Sequence, residues 1–109
     1  VHGAAFAAGC QLVASCDLAY SSKDAIFATP GVNIGIFCST PMVAVSRKVN
    51  RKSMMKMLLT GEPIKANYAK DIGLINDCYS KSRLNKEVLK IAKIIVAKRF
   101  LSDFTNSVQ

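Results

Sequence analysis

The residues able to do chemistry are few. The chain carries one histidine, His2, and four cysteines, Cys10, Cys16, Cys38 and Cys78. No two cysteines form a C-x-x-C pair and His2 stands apart from them, so the close ligand pairing of a zinc site is missing and no metal site is expected. Free, buried thiols in a reducing compartment suit such cysteines better. The other candidate is a stretch of backbone. In "GAAFAAGCQLVASCD", residues 3–17, the spacing predicts a helix entered through alanines and glycines, and the first polar side chain behind that entry is Gln11.

The first turn of a helix has backbone N–H groups with no partner inside the helix, and the helix dipole adds partial positive charge there. Small residues at that turn let a ligand oxygen approach the bare amides. Such donors stabilise an oxyanion, and losing one typically raises a barrier by about 3 kcal/mol. The same small residues would equally serve close packing of two backbones. Composition does not choose between the two.

The elements that must position this turn can be read from spacing. Leu12, Val13 and Cys16 recur at helical intervals within residues 8–16, and Asp17 ends the run. "DLAYSS", residues 17–22, reads as a short buried strand. "AIFATPGVNIGIF", residues 25–37, is strand-like but interrupted by Pro30, Gly31 and Gly35, which predicts short strands about a turn. A helix then starts with Ser39 or Thr40 as its cap and Pro41 in its first turn. The next helix runs from Arg51 to Leu59, with Met54, Met57 and Leu58 on one face and Gly61 as a left-handed cap. The methionines read as core rather than as a soft binding groove. A short helix over 66–72 is capped by Gly73, and "GLIND" reads as a strand. The last helix spans about 84–98, with Leu84, Val88, Ile91 and Ile95 in a stripe and Lys86, Lys90 and Lys93 off it. Residues 100–109, "FLSDFTNSVQ", are expected to be irregular.

This alternation of short strands and helices is an α/β pattern. The strands are too few and too short to cover one another's edges, and the chain opens on Val rather than Met, so it reads as a piece of a larger protein whose missing part completes the sheet. Its composition is globular, with 50% hydrophobic and 20% charged residues. No apolar run reaches the length of a membrane span. The 15 Lys and Arg against 7 Asp and Glu give a net charge of +8. Nucleic acid, an anionic surface or a phosphate-bearing ligand would all suit that surplus. It is spread along helix faces without aromatic strands, so a solvated basic surface is the better reading and nucleic-acid binding the weakest.

Two segments, "VHGAAFAAGCQLVASCDLAYSSKDAIFATPGVNIGI" and "LLTGEPIKANYAKDIGLIND", resemble the enoyl-CoA hydratase/isomerase (crotonase) superfamily. The family pattern is roughly V-x-G-x-A-x-G-G-G-C-E-L-x-x-x-C-D, then A-x-F-x-x-P-E, then L-T-G-x-x-I-x-A-x-x-A-x-x-x-G-L. The match covers residues 1–77 nearly in register and points to a mitochondrial branch. It implies the C-terminal part of a crotonase fold. Residues 1–77 would be a core segment with the oxyanion helix, 78–99 a C-terminal helix region and 100–109 a tail.

The resemblance also implies roles. Family members bind acyl-CoA thioesters and hold the thioester enolate with two backbone amides. Ala8, followed by Gly9, occupies the place of one, and the other comes from an upstream loop outside these residues. The two glutamates that move a water's proton in hydratases fall at Gln11 and Gly31. An amide has no useful pKa and glycine has no side chain, so the acid/base pair of hydration is replaced. Gln11, Pro30, Gly31 and Cys38 would line the acyl pocket. Cys38 is the one nucleophile there, without a histidine to activate it. Coenzyme A would enter only as part of the thioester ligand, with no separate cofactor. Homotrimers or hexamers of the whole protein, a mitochondrial location and a role in fatty-acid metabolism follow from the same likeness. The alternative is a catalytically silent module that uses the fold for assembly or regulation.

Overall fold

The structure, a computed structural model, describes residues 1–36 and 38–108, with side chains described as far as residue 99. Its elements, in chain order, are β1 (Ala4–Phe6), α1 (Ala8–Ser15), β2 (Tyr20–Ser22), β3 (Ile26–Ala28), a 3₁₀ turn (Pro30–Ile34), α2 (Ser39–Ser46), α3 (Arg51–Thr60), β4 (Ile64–Lys65), α4 (Ala66–Asp71), β5 (Asp77–Tyr79) and α5 (Lys81–Val108). In one sheet the order is β1-β3-β4; β1 runs parallel to β3 with Ala5 opposite Phe27, and β4 is antiparallel to β3. In the other, β2 and β5 run parallel with Ser21 opposite Cys78. Each β1 and β2 partner lies beyond an intervening helix, as parallel pairing requires.

Alternation puts Ala5 and Phe27 on the inward side of the first sheet, where both are buried. Cys10, Val13 and Ala14 of α1 join them, together with Val45 of α2 and Met54, Met57 and Leu58 of α3. The methionine face is therefore core. α3 closes as its sequence predicts, with Gly61 at φ 66°, and at its start the Ser53 N–H donates to Asn50 Oδ1 at 2.9 Å, a cap that the sequence reading does not include. Gly73, at φ 87°, turns the chain out of α4.

Four local expectations are corrected. Residues 30–34 form the 3₁₀ turn rather than a second strand. Pro30 presets its first φ, and Gly35 at φ 77° donates its N–H back to the Val32 carbonyl; Phe37, at the end of that segment, lies outside the described residues. α2 is preceded by Cys38, with no side-chain cap, while Ser39 and Thr40 already belong to the helix. "GLIND" is mostly turn, and the strand starts only at Asp77, after Asn76 has bonded the Ala19 backbone. Finally, α5 continues to Val108 where an irregular tail is expected. No glycine or proline interrupts it, and Phe100, Phe104 and Val108 do recur at four-residue steps. Gln109 lies outside the described residues.

α5 begins as predicted, with Leu84 buried and Val88 and Ile91 half-buried, but Ile95 is exposed. Glu87 supports the outer face by pairing with Arg83 at 3.1 Å and Lys90 at 3.8 Å. No helix among the described residues is long and apolar enough to cross a membrane.

Candidate functional site

Everything at the candidate site starts from Ala7. Its N–H donates to the Ala28 carbonyl at 2.9 Å, and its own carbonyl accepts the Gln11 N–H at 3.0 Å. To serve both, Ala7 adopts φ 51°, ψ −112°, and is the one non-glycine residue with positive φ among those described. An L-residue there carries about 1–3 kcal/mol of strain. β1 is thereby turned sharply into α1. The family pattern has glycine at this position, a signal visible in the sequence but passed over in favour of Ala8.

The turn leaves the amides of Ala8, Gly9 and Cys10 at the head of α1. None of them has a hydrogen-bond acceptor among the described residues, and no side chain caps the helix. Ala8 is exposed and Gly9 half-buried, so the head of α1 is not sealed within packed protein. A Cβ added at Gly9 would meet only Ala5 Cβ, at 3.9 Å. Of the two readings of this small-residue turn, the geometry fits open donors better than tight backbone packing.

The Ala7–Ala28 bond also sets the end of β3 beside this turn, and the chain continues directly into Thr29, Pro30 and Gly31. Gly31 does not look onto an empty space. A Cβ built there would lie 2.7 Å from the Ile36 carbonyl oxygen and 2.8 Å from Cys38 Sγ. Both are closer than real Cβ contacts, so the sulfur and carbonyl already fill the volume in which a side chain would start. Cys38 packs against the core. Burial pushes the Cys10 thiol up to about 11, and the neighbouring Cys38 adds a smaller push the same way. Cys10, under the head of α1, is thus a protonated core thiol. Thr29 is 1% exposed, yet its Oγ1 has no partner among the described residues.

Gln11 is half-buried and lines a groove of about 700 Å³ between α1 and α2, opposite Thr40, Val43 and Ala44. Ala8, Gly9, Pro30, Gly31 and Cys38 do not line it. No acidic residue lines it either; Arg47 and Lys48 do.

Asp24 and Asp77 are engaged away from this groove. Cys16 rather than Asp17 closes α1, its N–H reaching the Val13 carbonyl. Asp24 accepts from the Ser22 hydroxyl and pairs with Lys81 at 2.9 Å, contacts that lower its pKa. Asp77 is held low by the Cys78 backbone N–H and then by Lys70. No group of three or more histidine, cysteine or acidic residues able to hold a metal occurs among the described residues.

The family model described as enoyl-CoA hydratase/isomerase matches residues 1–108. Enoyl-CoA hydratase domain-containing protein 3, mitochondrial, of Danio rerio is 57% identical over 93 residues, 85% of this chain and 32% of that protein. The Homo sapiens protein of the same name is 53% identical over 97 residues, covering 89% of this chain and 32% of its own length. Among solved structures, an enoyl-CoA hydratase of Mycobacterium smegmatis superposes with a TM-score of 0.88 at 52% identity, covering 89% of this chain and 38% of that one. The human domain-containing protein 3 superposes with a TM-score of 0.85 at 53% identity, over 87% of this chain and 38% of the other. The expected α/β crotonase fold is thus met, and the chain spans about a third of the length of the curated relatives it matches.

Proposed function

The chain belongs to the enoyl-CoA hydratase/isomerase family, and on that premise we propose that it is an acyl-CoA-binding, hydratase-like member that lacks the usual hydration chemistry. The observation that carries this reading is the open pair of amides at Ala8 and Gly9, made available by the strained turn at Ala7. A thioester carbonyl oxygen accepts from such donors, and the positive end of α1 favours the charge that develops when the thioester becomes an enolate. The second donor of a full oxyanion hole belongs to a segment of the whole protein outside these residues.

Hydration needs a group that takes a proton from water and one that returns it. At the family's two glutamate positions stand Gln11 and Gly31. Gln11 can orient a water but cannot accept its proton. Gly31 offers nothing, and the Cys38 sulfur and Ile36 carbonyl crowd the space where a carboxylate would begin. Binding is therefore retained in this reading and proton transfer is not. A mitochondrial setting is supported by the relatives, which are mitochondrial by name, and a role in fatty-acid metabolism is part of the same proposal. Assembly of the whole protein into homotrimers or hexamers has weaker support, from the exposed Ile94, Ile95 and Val96 on α5, apolar groups that a partner would cover.

Crowding at Gly31 equally favours a catalytically silent assembly or regulatory module. Calorimetry with a short and a long acyl-CoA ester, alongside an assay of crotonyl-CoA hydration, separates the readings. Saturable heat with no hydration is the expected result. Absence of heat with every ester leaves the silent module; efficient hydration that survives Gln11→Ala means the chemistry lies elsewhere.

A further inference from the structure

The positive charge of this protein gathers where α2 hands over to α3. No acidic residue occurs between Asp24 and Glu62, yet Arg47, Lys48, Arg51, Lys52 and Lys56 all fall in that interval. All five are exposed, and none takes part in an ion pair among the described residues. Arg51 and Lys52 stand in the first turn of α3, which holds no acidic side chain. The helix dipole is positive at that end, so the two cations weaken the helix they start. Negative charge brought to this corner would be held by the cations and the helix end together.

The same corner borders an apolar groove. Met42, Val43 and Ser46 of α2 and Arg51, Met54 and Met55 of α3 line a hollow of about 420 Å³ between the two helices. Met42 and Met55 are half-buried and Val43 is exposed. Arg51, Met55 and Leu59 follow one another at four-residue steps, and Leu59 is 60% exposed, so an apolar stripe headed by a cation runs along α3. Lys52 and Lys56 run beside it at the same step. With ten residues, α3 is about 15 Å long, room for two to three turns of a docked helix. Methionine side chains are unbranched and polarisable, and they reshape around an apolar anchor.

We propose that the α2–α3 groove docks an acidic amphipathic segment of a partner protein. Its apolar side chains sit among Met42, Val43, Met55 and Leu59, and its carboxylates meet Arg51, Lys52 and Lys56. Arginine grips a carboxylate through two parallel N–H donors, and lysine adds a mobile point charge. A second copy of this chain does not fit. Two such faces brought together would set like charges against each other, and no two of the seven acidic residues lie within five positions of one another. The docking uses none of Ala8, Gly9, Gln11 and Gly31, so it stands or falls apart from the proposed function.

The test is fluorescence anisotropy of a labelled helical probe peptide of about twelve residues, with leucines at i, i+4 and i+7 and glutamates between them. Saturable binding by the chain at physiological salt is the expected result. Arg51→Gln combined with Lys52→Gln should weaken it about tenfold or more, while the unfolding midpoint holds or rises because two cations leave the positive end of α3. That split distinguishes a docking surface from a damaged fold. Lys86→Gln combined with Lys93→Gln, an equal loss of charge at exposed positions on α5, should leave binding unchanged. No saturable binding overturns the proposal, and equal weakening by the α5 pair reduces it to attraction by net charge. Equally tight binding of a probe with serine in place of each leucine, or of a single-stranded RNA, also overturns it. The titration is repeated with the whole protein, where lost binding would mean that its own remaining residues cover the groove and would overturn the proposal as well.

Discussion

Cys38 Sγ lies 2.8 Å from the point at which a Cβ on Gly31 would begin, and the Ile36 carbonyl oxygen lies 2.7 Å from the same point. The glycine is thus one half of a packed arrangement rather than a deletion that left a hole. Gly31→Ala should destabilise the protein by about 1–3 kcal/mol, the usual cost of overpacking. In a Cys38→Ala background the same change should cost less, though not nothing, because the carbonyl remains. Chemical denaturation of the four members of the cycle measures the coupling. Equal costs in both backgrounds would place the sulfur elsewhere.

Ala7 supplies a second outcome. At φ 51° it holds a conformation natural to glycine. Relief of about 1–3 kcal/mol of strain outweighs the roughly 0.5–1 kcal/mol of extra entropy that glycine loses on folding. Ala7→Gly should therefore raise unfolding stability by about 1 kcal/mol, and a lower denaturation midpoint would contradict the turn described.

Thr29 carries a buried hydroxyl with no partner among the described residues. An unsatisfied buried polar group costs about 1–3 kcal/mol, and an apolar group of the same shape removes that cost. Thr29→Val is expected to stabilise the protein by about 1 kcal/mol in thermal or chemical unfolding. A loss of stability would show that the hydroxyl has a bound partner.

Cys10 sets a pH dependence. Its thiol rises from an ordinary value of 9.0 to about 11 through burial and, secondarily, Cys38. An acid held protonated by folding contributes full stability below its unfolded pKa; between about 9 and 11 the unfolded chain releases the proton and the folded one keeps it, so stability falls with rising pH. Cys10→Ala should flatten that alkaline limb in denaturation curves taken from pH 8 to 11. An unchanged slope would remove Cys10 as its cause. Thiol labelling at pH 8 gives a companion measure: exposed Cys16 should react first and buried Cys10 last.

Much of the local structure was legible because its signals are local. Gly61 ends α3 through contacts made within a few residues of itself, and Met54, Met57 and Leu58 fall on one face by helical spacing alone. The α5 tail was misread since its stripe changes registry: Leu84, Val88 and Ile91 lie on one line, while Phe100, Phe104 and Val108 follow another. The 3₁₀ turn was misread because proline and glycine signal a break without stating what replaces the strand.

Ordered motifs along residues 1–77 were enough to indicate the family, and the chemical identities of Gln11 and Gly31 needed no coordinates because they are matters of residue type. It took the folded chain to show that Ala7 bends backward against Ala28, that Cys38 occupies the space beside Gly31, and that Gln11 shares a groove with Arg47 and Lys48. Those pairs are joined by the folded path of the chain between them. A periodic pattern records which face a residue takes, while the atoms it meets there depend on where separate elements come to rest.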